Sequence, residues 1–227
     1  MDYGRVISNS FEYTKEALFG KWMQWVILAV LALVQTFTAS LIPLLSGYVV
    51  RVLAGKTPAP EIDGWGQLFV DGWKMNIIML VYMIPAILVF LVLGGISALG
   101  AMTTSDPAAA GAAILGALAG AFLAFLVAIV MAFIALFAIL RFAHTDSLGE
   151  AFNFSAIFAQ IGGLGWGTWI IAVIVLLVVA VVYGFVVGIL SAIPLLGWLI
   201  AIFLNAAFAL FYARYLAQVY EEAPASA

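Results

Sequence analysis

Four long apolar runs, at about 75–100, 108–140, 168–190 and 194–216, constrain this chain more than any other feature. A helix rises about 1.5 Å per residue, so roughly 20 apolar residues cross a hydrocarbon core of about 30 Å. Only helices and closed barrels satisfy their own backbone donors and acceptors in lipid, and runs this long read as helices. Charged residues make up 8% of the 227 positions and apolar ones 67%, whereas a soluble domain carries roughly 25% charge. The expected fold is all-α, a polytopic transmembrane helical bundle forming a single domain over 1–227. Turn chemistry sets its boundaries: TTSDP at 103–107, AHTDS at 143–147 and SAIP at 191–194. The first apolar run begins at Trp22, after mostly polar residues, so a cleaved signal peptide is not expected.

A fifth apolar run, 22–54, is too long for one upright crossing and carries Gln35, Thr36, Ser40 and Pro43 near its middle. It reads as a single kinked span or as a re-entrant hairpin of two short helices. The four clear spans put Arg51, Lys56, Lys74, Arg141 and Arg214 on one side. A single crossing by 22–54 would export Arg5, Lys15 and Lys21, whereas a hairpin keeps every basic residue together. The positive-inside tendency therefore favours the hairpin, with both termini cytoplasmic in a plasma membrane. The three polar residues and the break at Pro43 outline a possible cavity, since broken helices mark substrate sites in transporters.

Short amphipathic stretches precede the apolar blocks, at about 9–22, 63–74 and 146–161. Asn9 with Glu12 and Ser147 with Glu150 have capping-box spacing, and Asp63 is placed to cap the middle stretch. The expected unit is an interfacial helix followed by an apolar hairpin, three times over. Trp22, Trp65 and Trp73, with the block-ending Arg51, Arg141 and Arg214, are the expected headgroup-level anchors, and membrane lipids the expected contacts.

Chemistry is sparse. The chain has no cysteine and one histidine, His144, which removes thiolate chemistry and leaves too few imidazoles for zinc or a paired-histidine haem. No cofactor and no metal site is expected, and eight basic residues at net charge −3 offer no surface for nucleic acid. Glu61, Asp63 and Asp71 match no cation-loop spacing, so Asp63 is read as a cap and the other two as facing water. GGLGWG at 162–167 lacks the strand and lysine of a phosphate loop, and His144, Thr145 and Asp146 are consecutive at a helix end, so no catalytic residue is assigned. The spans hold no Asp, Glu, Lys or His, which disfavours an ion-coupled pump. Small residues recur every fourth position at Ala112, Gly116, Gly120, Ala124 and Ala128, and again at Gly184 and Gly188, as faces for helix packing or oligomer contact.

In SFEYT at 10–14, SGYVVRVL at 46–53, DGWGQLFVDGWK at 63–74, GEAFNFSAI at 149–157 and ARYLAQVY at 213–220, the chain resembles DUF-4013, a polytopic membrane family of unknown function found largely in methanogenic archaea. Ala217 departs from the glycine usual in that pattern, and the Ala- and Gly-rich stretch at 108–124 falls in the family's variable middle. The resemblance implies an archaeal-type plasma-membrane protein and supplies no catalytic residue. The leading expectation is a non-enzymatic membrane protein with a structural or assembly role, as a homo-oligomer or with other membrane subunits. The alternatives are an uncoupled channel or permease for a small or lipophilic solute, and a lipid-binding or membrane-shaping protein.

Overall fold

The computed structural model describes residues 1–223, which form nine α-helices and no strand. They are α1 (Tyr3–Leu18), α2 (Trp22–Phe37), α3 (Leu44–Leu53), α4 (Trp65–Val89), α5 (Ile96–Thr103), α6 (Pro107–Thr145), α7 (Phe154–Leu164), α8 (Trp166–Ser191) and α9 (Leu196–Glu221). Four stretches are long and apolar enough to cross a membrane: Trp65–Thr103, Pro107–Thr145, Trp166–Ser191 and Leu196–Glu221. The protein is an all-α, multi-pass membrane protein.

Several boundaries differ from the sequence reading. The 63–74 stretch is no separate interfacial helix but the opening turns of α4, which runs unbroken into the first span. No breaker stands at its end, and Asp71 ties the turns together by accepting from Gln67 at 2.9 Å and Lys74 at 3.0 Å. Asp63 lies one residue outside the cap position and pairs with Arg51 instead, at 2.6 Å. Helix α1 starts six residues before the expected 9, because the Asp2 carboxylate accepts from the Arg5 backbone N–H; Asn9 and Glu12 lie inside the helix. The 146–161 stretch is a short 3₁₀ turn, Leu148–Phe152, followed by α7, whose cap is Asn153 accepting from Ala156 N. At α6, Asp106 accepts from Ala108 N, with Pro107 at the first helical position.

Run 22–54 forms two helices. The chain breaks over 38–43, where Ala39 and Ser40 take positive φ (48° and 62°), and Pro43 precedes α3. The Asn76 side chain donates to the Ser40 carbonyl at 3.0 Å, satisfying a group that the break frees. Helices α1 and α2 meet at a 104° bend.

The described residues fall into two compact units. In the first, Met1–Asn76 with Ala138–Ala223, helix α9 is the centre. Helix α1 lies antiparallel to it, through Arg5 with Glu222, Ser10 with Gln218, and the Arg214 guanidinium over the Tyr13 ring. Helix α8 joins it through Tyr215 to the Ala172 carbonyl and Tyr183 to Asn205. Gly47 lies against the Leu68 carbonyl and Gly72 against the Pro43 carbonyl, so α3 and the start of α4 touch backbone to backbone. The second unit, Ile77–Phe137, is a helical hairpin with a π-helical segment at Phe90–Gly95. Gly94 faces Gly120 and Ser97 faces Gly116, an antiparallel register that small residues permit.

Candidate functional site

At the α2–α3 break, Gln35, Thr36 and Ser40 line one cavity of about 330 Å³. Ala32, Ile202 and Asn205 complete much of its wall, so the first unit brings three of the four predicted cavity residues together. Pro43 ends the break at the start of α3 without lining the cavity. Asn205 was not among the sequence candidates, because it stands alone in its apolar run, with no helix break and no second polar residue beside it. It sits nine residues into α9, about 14 Å along the helix from its start.

Each polar group has a defined state. Gln35 clamps the two short helices, with its Nε2 donating to Ser46 Oγ at 2.9 Å and its Oε1 accepting from Ser46 N at 3.0 Å. That second bond satisfies one of the N–H groups that α3 leaves open at its start. The Thr36 hydroxyl donates to the Ala32 carbonyl at 2.8 Å, and Asn205 Oδ1 accepts from the Tyr183 hydroxyl at 2.6 Å. The Asn205 amide N–H groups have no partner among the described residues. No ionisable side chain lines the cavity. Its volume would hold about ten waters at roughly 30 Å³ each, or one small solute in their place.

The remaining candidates are distributed elsewhere. Arg141 donates from Nε to Glu150 at 2.7 Å, Arg51 pairs with Asp63, and Arg214 donates to the Gly55 carbonyl at 3.2 Å; all three arginines are thus engaged within the protein. Trp22 and Trp65 are exposed, while Trp73 is half-buried beside Phe69. Asp71, expected to face water, is buried at 6% exposure. Gly116, Gly120 and Ala124 pack inside the second unit, Ala128 lines an apolar cleft there, and Ala112 is exposed. A methyl added at Gly184 or Gly188 would meet nothing within 4 Å. Among the described residues no three His, Asp or Glu side chains group as metal ligands.

A family model described as a protein of unknown function (DUF4013) matches residues 30–192. Neither the curated proteins nor the solved structures include a match to the chain.

Proposed function

The chain belongs to the DUF4013 family, and from that premise we propose that it is a non-enzymatic membrane protein that binds a small, uncharged, polar solute at the α2–α3 break and lets it permeate without ion coupling. The observation carrying this reading is the convergence of Gln35, Thr36, Ser40 and Asn205 on one cavity in an otherwise apolar protein. Polar residues inside a span are expensive, and they are retained where they line a solute's path. The lining favours an uncharged solute because it offers hydrogen-bond donors and acceptors but no charge to replace an ion's hydration. Proteoliposomes holding the protein should take up glycerol or urea faster than empty ones. Ala32→Trp, which fills the cavity, should return uptake to the empty-liposome rate, and equal uptake with and without protein would end the permeation reading.

Assembly is the second reading, and a specific observation favours it. Only 6% of the most apolar stretch of α8 is buried, and Gly184 and Gly188 lie open on it. Lipid or a second copy of the chain would cover that surface.

For orientation we keep both termini in the cytoplasm of a plasma membrane, on the strength of the basic residues gathered at one end of the clear spans. The chain has no native cysteine, so single-cysteine variants report cleanly. A cysteine at Ser8 or Ser226 should resist an impermeant thiol reagent in intact cells, while one at Ser105 should react. Labelling of Ser8→Cys alongside Ser105→Cys, with Ser226→Cys protected, would restore a single crossing by 22–54.

A further inference from the structure

A second cavity, of about 820 Å³, opens in the first unit where the last turn of α3, the opening of α4 and the end of α6 meet. It shares no lining residue with the Gln35 cavity. Its walls carry charge of both signs: Arg51 and Lys56 stand with Glu61, Asp63, Asp71 and Asp146, and His144 lies among them. Some of these groups are already committed. Asp71 is held by Lys74 and Gln67, and Asp63 by one Arg51 nitrogen, Nη1, at 2.6 Å. The others are not. Among the described residues Lys56 Nζ and the Glu61 carboxylate have no ion-pair partner, the second Arg51 nitrogen, Nη2, has no acceptor, and Asp146 reaches Lys74 only at 3.9 Å. The Arg51 side chain is 14% exposed, so its charge sits in the wall and not on the rim. Backbone contacts hold the Lys56 turn: Tyr13 donates to the Lys56 carbonyl at 3.2 Å and Arg214 to that of Gly55 at 3.2 Å.

We infer that this cleft binds a small zwitterion, with an oxyanion on Arg51 and Lys56 and an ammonium on Glu61 and Asp146. Charges of both signs that are free or only partly engaged in one cleft match a ligand that carries both, since a guanidinium and an ammonium suit an oxyanion and carboxylates suit an alkylammonium. The volume is in the range of small-molecule sites, roughly 300–1,000 Å³. The lack of any three-ligand acidic group among the described residues directs the carboxylates to an organic cation and away from a metal. The ligand class reaches a membrane protein from two sources, a dissolved solute or the phosphoethanolamine headgroup of a bilayer lipid.

The test uses the full chain in nanodiscs free of phosphatidylethanolamine, with O-phosphoethanolamine as the probe and inorganic phosphate and ethanolamine as single-charge controls. The zwitterion should bind about tenfold more tightly than either control, and Lys56→Gln and Glu61→Gln should each weaken it about tenfold. Both side chains are exposed, so these variants leave folding intact. Equal binding of phosphate and O-phosphoethanolamine, no binding of any probe, or no effect of Glu61→Gln would each overturn the proposal. Once binding is established, phosphatidylethanolamine added to the discs separates the sources. Competition with the probe assigns the site to a lipid headgroup, and an unchanged affinity assigns it to a dissolved solute; both outcomes support the zwitterion site.

Discussion

Glu150 shows how a single residue carries more structure than its sequence spacing suggests. Three residues after Ser147 it has the look of a capping-box glutamate, yet it accepts from Arg141 Nε at 2.7 Å and from the Asn153 side chain at 3.4 Å. Hydrogen bonds from Arg141 and then Asn153 hold its carboxyl below the usual glutamate range. A carboxyl lowered in the folded state stabilises fully above the unfolded glutamate value of about 4.3, and that contribution is lost as pH falls through the lower folded value. Glu150→Gln should therefore lower the melting temperature at pH 7 and remove part of the loss of stability expected of the wild type as pH falls below about 4.3. Parallel pH dependence in the two proteins would show that the bridge contributes nothing. Gln35, Thr36 and Ser40 were legible in the sequence because polar side chains in an apolar run have few reasons to be there. Asn205 was not, since its meaning comes from Thr36 and Ser40, more than 160 positions away. The burial of Asp71 was missed although Gln67 and Lys74, at i−4 and i+3, stood in the sequence as its partners.

At the scale of elements, the spans could be read from length and hydropathy alone, because a crossing helix needs little else. The short helices could not. Their ends depend on which groups a cap reaches, as with Asp2 at α1 and Asn153 at α7, and on whether a neighbouring element lets a helix continue. Helix α3 makes the point most sharply. It has only ten residues, too short to be stable alone, and it is held by close backbone contact with α4 at Gly47 and Gly72. A methyl at either glycine would overlap a carbonyl of the other helix, Leu68 for Gly47 and Pro43 for Gly72. Gly47→Ala and Gly72→Ala should each destabilise by about 1–3 kcal/mol or more, because overpacking forces the helices apart. Gly184→Ala, where space is open, should shift stability by less than about 0.5 kcal/mol. Denaturant unfolding in a mild detergent reads all three, and a neutral Gly72→Ala would mean that α3 is not seated on α4.

For the whole molecule, the fold class follows from composition, but the division into two units does not. It arises because the α4–α6 hairpin closes on itself through Gly94 and Gly120, while α9 gathers α1, α2, α3 and α8. The two small-residue faces look alike in sequence and have opposite fates. The face at Gly116 and Gly120 is used within the chain, and the face at Gly184 and Gly188 is left open. In a membrane no hydrophobic effect drives helices together, so close packing of small residues is what an exposed face can offer a partner. This separates two variants that a sequence reading would treat alike. Gly120→Leu should lower stability, because its side chain collides with the Gly94 backbone inside the hairpin. Gly188→Leu should leave stability unchanged and, if α8 is the seam, convert the wild-type oligomer to monomer when sized in native nanodiscs. A wild-type protein that is already monomeric would end the assembly reading, and an oligomer untouched by Gly188→Leu would move the seam away from this face of α8.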